Sequence, residues 1–107
     1  MSGTFGEMGN LLKQAQQMQR ELDRVRDELT RQRVEGASPN GSVRVEVSGD
    51  GMIQKVQIKP EFARSGDAAQ IEEALLVALR EGLQNAARLR AEQMSKVTGG
   101  LNLPGLL

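Results

Sequence analysis

The sequence predicts an α+β fold, in which a three-stranded antiparallel sheet is flanked by two long helices in the order α-β-β-β-α. Three observations predict it. Apolar residues near the N-terminus recur at spacings of three and four, a central segment alternates apolar and polar residues, and a second segment with helical periodicity follows. The length of 107 residues and the lack of an internal repeat indicate a single domain over residues 1–107.

The first helix is predicted from a continuous apolar seam whose spacings are 3, 4, 3, 4, 3 and 4, the a/d pattern of a coiled coil. The seam consists of Met8, Leu11, Ala15, Met18, Leu22, Val25 and Leu29. No Pro or Gly interrupts residues 10–35, so we expect a helix of about 25 residues and nearly 40 Å. Asn10 is its candidate N-cap, and residues 1–9 are expected to form a flexible tail. A helix this long needs a partner, either the second helix or another copy of the chain.

The charged residues of the first helix have two interpretations. Asp23 with Arg26, and Asp27 with Arg31, have the spacing of local ion pairs within one helix. Glu21 and Arg26 instead have the spacing that pairs two parallel helices across a coiled coil. The local interpretation is favoured.

The central segment predicts the sheet. Val43, Val45 and Val47 alternate with polar residues, which indicates a half-buried strand with its valines facing the core. Turn-forming residues occupy positions 38–41 and 48–51 on either side. Residues 32–37 are expected to form a weaker first strand, and Val56 and Ile58 are expected on the inner face of the third.

The second helix is predicted over residues 68–97, with Asp67 and Gln70 as a capping-box pair. Pro60 ends the sheet, and residues 61–66 are expected to form a loop in which Phe62 packs on the core.

Gly82 lies inside the second helix, where it lowers stability by about 1 kcal/mol relative to Ala, so it marks a close helix contact. Gly99 and Gly100 end the helix, and residues 98–107 are expected to form a second flexible tail.

Composition favours a homodimer and argues against catalysis. Only 38% of the residues are hydrophobic and two are aromatic, so burial between subunits would add substantially to stability. The chain has no Cys and no His, which excludes thiolate chemistry and removes the commonest general base and metal ligand. We therefore expect no enzyme activity, no metal, no cofactor and no small-molecule substrate. No membrane-spanning segment or signal peptide is evident, which is consistent with a cytoplasmic protein.

Basic residues on the two helices suggest a nucleic-acid surface. They are Lys13, Arg20, Arg24 and Arg31 on the first helix and Arg88, Arg90 and Lys96 on the second. Fourteen basic residues balance fourteen acidic ones, so an ordinary solvated surface is the alternative, and the residues alone favour it. The absence of Tyr and Trp argues against binding of single strands by base stacking. Any DNA contact should involve mainly the phosphate backbone.

Three stretches carry a resemblance that changes this balance. They are GNLLKQAQQMQ at residues 9–19, VRVEVSG with VQIKP at residues 43–49 and 56–60, and MSKVTGG with LP at residues 94–100 and 103–104. Together with length and element order, they resemble the YbaB/EbfC nucleoid-associated proteins over nearly the whole chain. The resemblance implies a tweezer-like bacterial homodimer with the sheets at its centre, which binds duplex DNA at the nucleoid and affects compaction or gene expression.

The leading hypothesis is therefore a dimeric DNA-binding protein of the nucleoid in which the seven basic residues contact phosphates. The seam residues Leu11, Met18, Leu22, Val25 and Leu29, with the three valines of the second strand, are expected to pack helices or subunits. The alternative is a protein-interaction or chaperone-like adaptor whose helical arms hold another protein. A non-catalytic subunit of an enzyme is a third hypothesis.

Overall fold

The computed structural model describes the backbone of residues 2–99 and the side chains of residues 6–99. Its elements are α1 (Ser2–Arg31), β1 (Arg33–Ala37), β2 (Val43–Ser48), β3 (Ile53–Ile58), α2 (Pro60–Ser65) and α3 (Ala68–Thr98). The strands form one antiparallel sheet in the order β1-β2-β3. The predicted fold class is confirmed, with two differences in the helices.

The first difference is the start of α1, which begins at Ser2 rather than after Asn10. Asn10 lies inside the helix and does not cap it. Gly6 and Gly9 each weaken a helix by about 1 kcal/mol but do not block it as Pro would. The predicted start of the helix at Asn10 is therefore wrong, since residues 2–9 are already helical. The flexibility expected of residues 1–9 stays a prediction. Residues 100–107, most of the predicted second tail, lie outside the described residues.

The second difference is α2, which replaces the loop expected at residues 61–66. Pro60 occupies the first helical turn, where its fixed φ suits a helix and its missing N–H is not needed. Phe62 is half-buried and packs against the core, as predicted. The backbone N–H of Gly66 then donates to the Phe62 carbonyl at 2.7 Å and ends the turn.

Helix α3 lies across β1 and β2, and the core forms beneath it. The buried cluster joins Val43, Val45 and Val47 of β2 to Ala78 and Ala86 of α3. Asp67 begins the helix with the predicted capping box, since its carboxylate accepts from the Gln70 N–H at 2.8 Å and the Gln70 side chain accepts from the Asp67 N–H at 3.3 Å. The second helix therefore begins where its capping residues place it.

Two glycines allow α3 to approach the sheet closely. A Cβ on Gly36 of β1 would lie 2.7 Å from the Cα of Gly82 and would also overlap the Ala78 carbonyl and the Gly82 nitrogen. A Cβ on Gly82 would lie 2.8 Å from a methyl group of Val45. Gly82 therefore marks the close helix contact that its position in the sequence predicted.

Strand β3 is left uncovered by α3. Val56 pairs with Val45 and shares its face of the sheet, as predicted, yet Val56 remains 45% exposed because the helix does not reach β3. A bulge at Gln54 adds one residue between the pairs Glu46–Lys55 and Val47–Ile53, so Ile53 joins Val56 on this face. On α3, Asn85 is hydrogen-bonded to β1. Leu76 and Leu83 are exposed on the opposite flank of the helix, which is the side toward β3. These four residues, Ile53, Val56, Leu76 and Leu83, form the open apolar face.

The helices α1 and α3 run antiparallel as two arms away from the sheet. Val25 and Leu29 of α1 are buried at the base, Met18 and Leu22 are half-buried, and Leu11 is 64% exposed. The seam thus contacts its own chain over its C-terminal half only. The radius of gyration is 21.0 Å, whereas a compact chain of this length has about 13 Å.

Replacing Gly36 with Ala tests the close approach of the glycines. We expect Gly36→Ala to lower the free energy of unfolding by about 1–3 kcal/mol, because the added methyl group meets backbone atoms that no side-chain rotation can move. Chemical denaturation followed by circular dichroism at one protein concentration measures the change. Gly9→Ala is the matched control, because nothing lies within 4 Å of its Cβ. A Gly36→Ala protein as stable as the parent would contradict the packing described.

Candidate nucleic-acid interface

The basic residues of α1 lie on its solvent face. Lys13, Arg20, Arg24 and Arg31 are all exposed, and their helical positions fall within an arc of about 40°. Val25 and Leu29, which pack on the sheet and α3, lie on the opposite side of the helix. These four cations define the basic stripe of α1. Since they do not contribute to the core, they are available to a partner in solution.

Two residues of the basic stripe are already paired with carboxylates. Arg24 binds Glu21 at 2.8 Å and Glu28 at 2.6 Å. Its hydrogen bond to Glu21, together with the charges of Glu21 and Glu28, raises the pKa of the Arg24 guanidinium above its ordinary value. Arg31 binds Asp27 at 2.8 Å, one turn before it. Such exposed pairs are worth little in water, so a phosphate group can compete for either guanidinium.

The other two residues of the stripe have no such partner. Among the described side chains, no carboxylate lies within 4.0 Å of the Lys13 amine or the Arg20 guanidinium. These two cations stand seven residues apart, about two helical turns, on the same face. They are the groups of the stripe that a phosphate can approach without displacing an acid.

Within one chain, the ion pairs of α1 follow the local interpretation of the helix charges. The pairs Asp23–Arg26, at 3.6 Å, and Asp27–Arg31 are both present within α1. Glu21 contacts Arg24 rather than Arg26. The single chain therefore shows the local pairing that was favoured. The pairing of Arg24 with Glu21 and Glu28 was not anticipated, although their spacings of three and four residues are the usual signal for it.

Of the predicted basic residues of α3, Lys96 lies beside the α1 arm. Lys96 and Arg24 border the same shallow cavity of about 390 Å³, which Glu21, Glu28 and Gln93 also line. Arg88 and Arg90 lie two positions apart on a helix, so they point about 160° away from each other. Arg90 is directed toward the β2–β3 turn, where its Nη1 atom lies 3.7 Å from the place of a Cβ on Gly51. The seven predicted contacts do not form one patch.

Three further cations lie on the outer face of the sheet. Arg33 binds Glu46 at 3.3 Å and Arg44 approaches Glu35 to 4.0 Å, while Lys55 pairs in register with Glu46. The diagonal ion pairs offset the repulsion between Glu35 and Glu46, which are directly opposite each other. Two glutamates are therefore shared among three cations on this outer face, whereas the basic stripe of α1 has two cations without a carboxylate partner among the described side chains and is the better phosphate surface.

Other kinds of site are not evident in the part of the chain that the structure describes. No group of three or more acidic, His or Cys side chains there is placed to hold a metal ion. No helix within residues 2–99 is long and apolar enough to cross a membrane.

Comparison with known proteins identifies close relatives. Residues 5–101 match the model of the YbaB/EbfC DNA-binding family. A nucleoid-associated protein of Acetivibrio thermocellus is 39% identical over 105 residues, which is 97% of this chain and 93% of that one. A nucleoid-associated protein of Caldanaerobacter subterraneus is 38% identical over 99 residues, 92% of this chain and 89% of that one. The crystal structure of an uncharacterized protein from Helicobacter pylori shares the fold, with a TM-score of 0.68, 24% identity, and coverage of 89% and 97%.

Proposed function

Because the chain belongs to the YbaB/EbfC family of nucleoid-associated DNA-binding proteins, we propose that it binds duplex DNA through backbone phosphates, with little sequence preference. The proposed binding unit is a homodimer whose helical arms hold the cations. Acting at the bacterial nucleoid in the cytoplasm, it would contribute to nucleoid organisation and to gene regulation. The observation that supports this mode of binding is the basic stripe of α1.

The stripe suits a phosphate backbone in length and in chemistry. From Lys13 to Arg31 it extends about 27 Å along the helix, which corresponds to about eight base pairs of duplex. Lysine and arginine side chains on an exposed helix reach phosphates readily. The chain has no Tyr or Trp and two Phe, of which Phe62 packs against the core, so few aromatic side chains are available to stack on single-stranded bases. These features support duplex binding by charge.

The open apolar face supports the homodimer. Exposure of Ile53, Val56, Leu76 and Leu83 ranges from 40% to 47%. The first two lie on the inner face of β3, and the two leucines lie on the flank of α3 away from β1. A second copy that covered this surface with its own would remove both apolar faces from water. Dimerisation would also double the number of cationic arms, which strengthens binding to a long polymer.

Salt-dependent binding is the central test of phosphate recognition. In a fluorescence-anisotropy titration with mixed-sequence duplexes, log affinity should fall linearly with log salt concentration. Lys13→Gln with Arg20→Gln should weaken binding equally for every sequence, and the slope should decrease by about 0.9 for each phosphate that the variant no longer neutralises. The matched control is Arg64→Gln with Arg80→Gln, which removes the same charge from exposed residues of α2 and the first half of α3.

Equal losses of affinity in the two double variants would mean that net charge, rather than the stripe, determines binding. Absence of duplex binding at low salt would overturn the proposal. Copurification of a stoichiometric protein after nuclease treatment would then favour the adaptor hypothesis.

Glu21 and Glu28, which pair with Arg24, should lower the affinity for DNA. Glu21→Gln with Glu28→Gln removes both ion-pair partners, so Arg24 becomes available to phosphates and local repulsion falls. We expect duplex affinity to rise by about threefold to tenfold at low salt. Glu72→Gln with Glu73→Gln, an equal charge change at exposed residues near the start of α3, should have a smaller effect. Unchanged affinity in the Glu21 and Glu28 variant would exclude Arg24 from the interface.

The oligomeric state tests the open apolar face. Val56→Asp places a charge in this face, whereas Gln57→Asp places the same charge on the outer face of β3. We expect Val56→Asp to shift the protein from dimer to monomer in light scattering at micromolar concentration, because a buried unpaired carboxylate is strongly unfavourable. Gln57→Asp should remain dimeric. A Val56→Asp dimer as stable as the parent would place the interface elsewhere.

A further inference from the structure

The end of the α1 arm carries an apolar surface that the described residues leave uncovered. Met8, Leu11 and Leu12 are 60–64% exposed, and they lie toward one side of the helix. These three residues form the apolar tip of α1. The seam contacts α3 only as far as Met18, because α3 ends at Thr98. The tip therefore extends beyond the helix that covers the rest of the seam.

The chain leaves α3 beside the tip. Val97 borders the same surface cleft as Gln14 and Met18, which lie three and seven residues after Leu11 on α1. Residues 100–107 follow, and they lie outside the described residues. Extended, eight residues reach about 26 Å, whereas the distance along the helix from Met18 to Met8 is about 15 Å. The segment is long enough to run the whole length of the tip.

The composition of this segment matches the surface. Leu101, Leu103, Leu106 and Leu107 are four of its last seven residues, and none of the seven has a charged side chain. Pro104 and Gly105 oppose a simple continuation of α3. The leucines would remove apolar area from water on both sides of the contact.

A tethered occupant suits the tip better than a separate molecule. Three side chains are far less than the roughly 1,000 Å² that a specific interface between separate proteins usually buries. They also span about one heptad, whereas a coiled coil of two α1 tips would need three or four. A segment joined to α3 avoids most of the entropy lost when two molecules associate. We propose that residues 101–107 of the same chain cover the apolar tip of α1.

Cysteine cross-linking tests this contact, and the chain has no native Cys to interfere. Leu12→Cys with Leu103→Cys should form a disulfide within one chain under mild oxidation, visible as faster migration on a non-reducing denaturing gel. Asn10→Cys with Leu103→Cys is the matched control, because Asn10 lies about 160° around the helix from Leu12. We expect the first pair to react at least about tenfold faster than the control.

Equal rates for the two pairs would overturn the proposal, because they would mean that residue 103 has no preferred position. A disulfide between chains, seen as a covalent dimer, would also overturn it and would assign the tip to the partner's segment. The result does not depend on DNA binding, so it is separate from the test of the proposed function.

Hydrogen exchange gives a readout without new cysteines. Replacing Leu101, Leu103, Leu106 and Leu107 with Ser should raise amide exchange in residues 6–15 by about tenfold, because the uncovered end of α1 would open more often. Exchange at residues 43–47, in the core strand, is the internal control and should not change. Equal exchange of residues 6–15 in the two proteins would contradict the contact.

Discussion

The approach of α3 to the sheet through Gly36 and Gly82 determines much of the remaining architecture. The backbones of Gly36 and Gly82 lie so close there that a Cβ on Gly36 would overlap backbone atoms of the helix. The helix axis is therefore closer to β1 and β2 than it could be with a larger residue at position 36. Ala78 and Ala86, one turn to either side of Gly82, are small enough to share that close path and are fully buried. The Asn85 amide donates to the Glu35 carbonyl at 2.8 Å and attaches the helix to β1. With α3 held over two strands, the third strand stays open and the C-terminal half of α3 is directed along α1.

The net charge of the chain is zero, yet some of its cations are paired with carboxylates and others are not. Arg33 and Arg44 face glutamates across the sheet, and Arg24 and Arg31 face acids one turn away. Lys13 and Arg20 have no such partner among the described side chains. Since charges in physiological salt act over about 8 Å, a phosphate near the middle of α1 responds to these local groups rather than to the zero total. Net charge is therefore a poor guide to what this surface binds.

Sequence patterns predicted those features that depend on neighbouring residues. The alternation at Val43, Val45 and Val47 predicted a buried face, and the spacing of Asp67 and Gln70 predicted a helix start, because each pattern reports local geometry. The prediction that Asn10 caps the first helix was wrong, because the preference of Asn for an N-cap is weak where the helix can continue through Gly9 and Gly6. The exposure of Val56 was not predictable, since it depends on where α3 passes.

The candidate surface was predictable in part, because the stripe on α1 follows from helical spacing alone. The same spacing separates Arg88 from Arg90, whereas the position of Lys96 beside Arg24 depends on the antiparallel crossing of α1 and α3.

The bulge at Gln54 has a consequence for how this chain can change length during evolution. Residues three apart in a regular strand face opposite sides, so the extra residue is what allows both Ile53 and Val56 to face the same side. Deleting Gln54 would leave the two residues in regular alternation, still on one side. Deleting a residue inside β2 would instead turn part of the buried valine row toward water. Lineages of this fold should therefore tolerate a one-residue change of length at the bulge and resist one in β2.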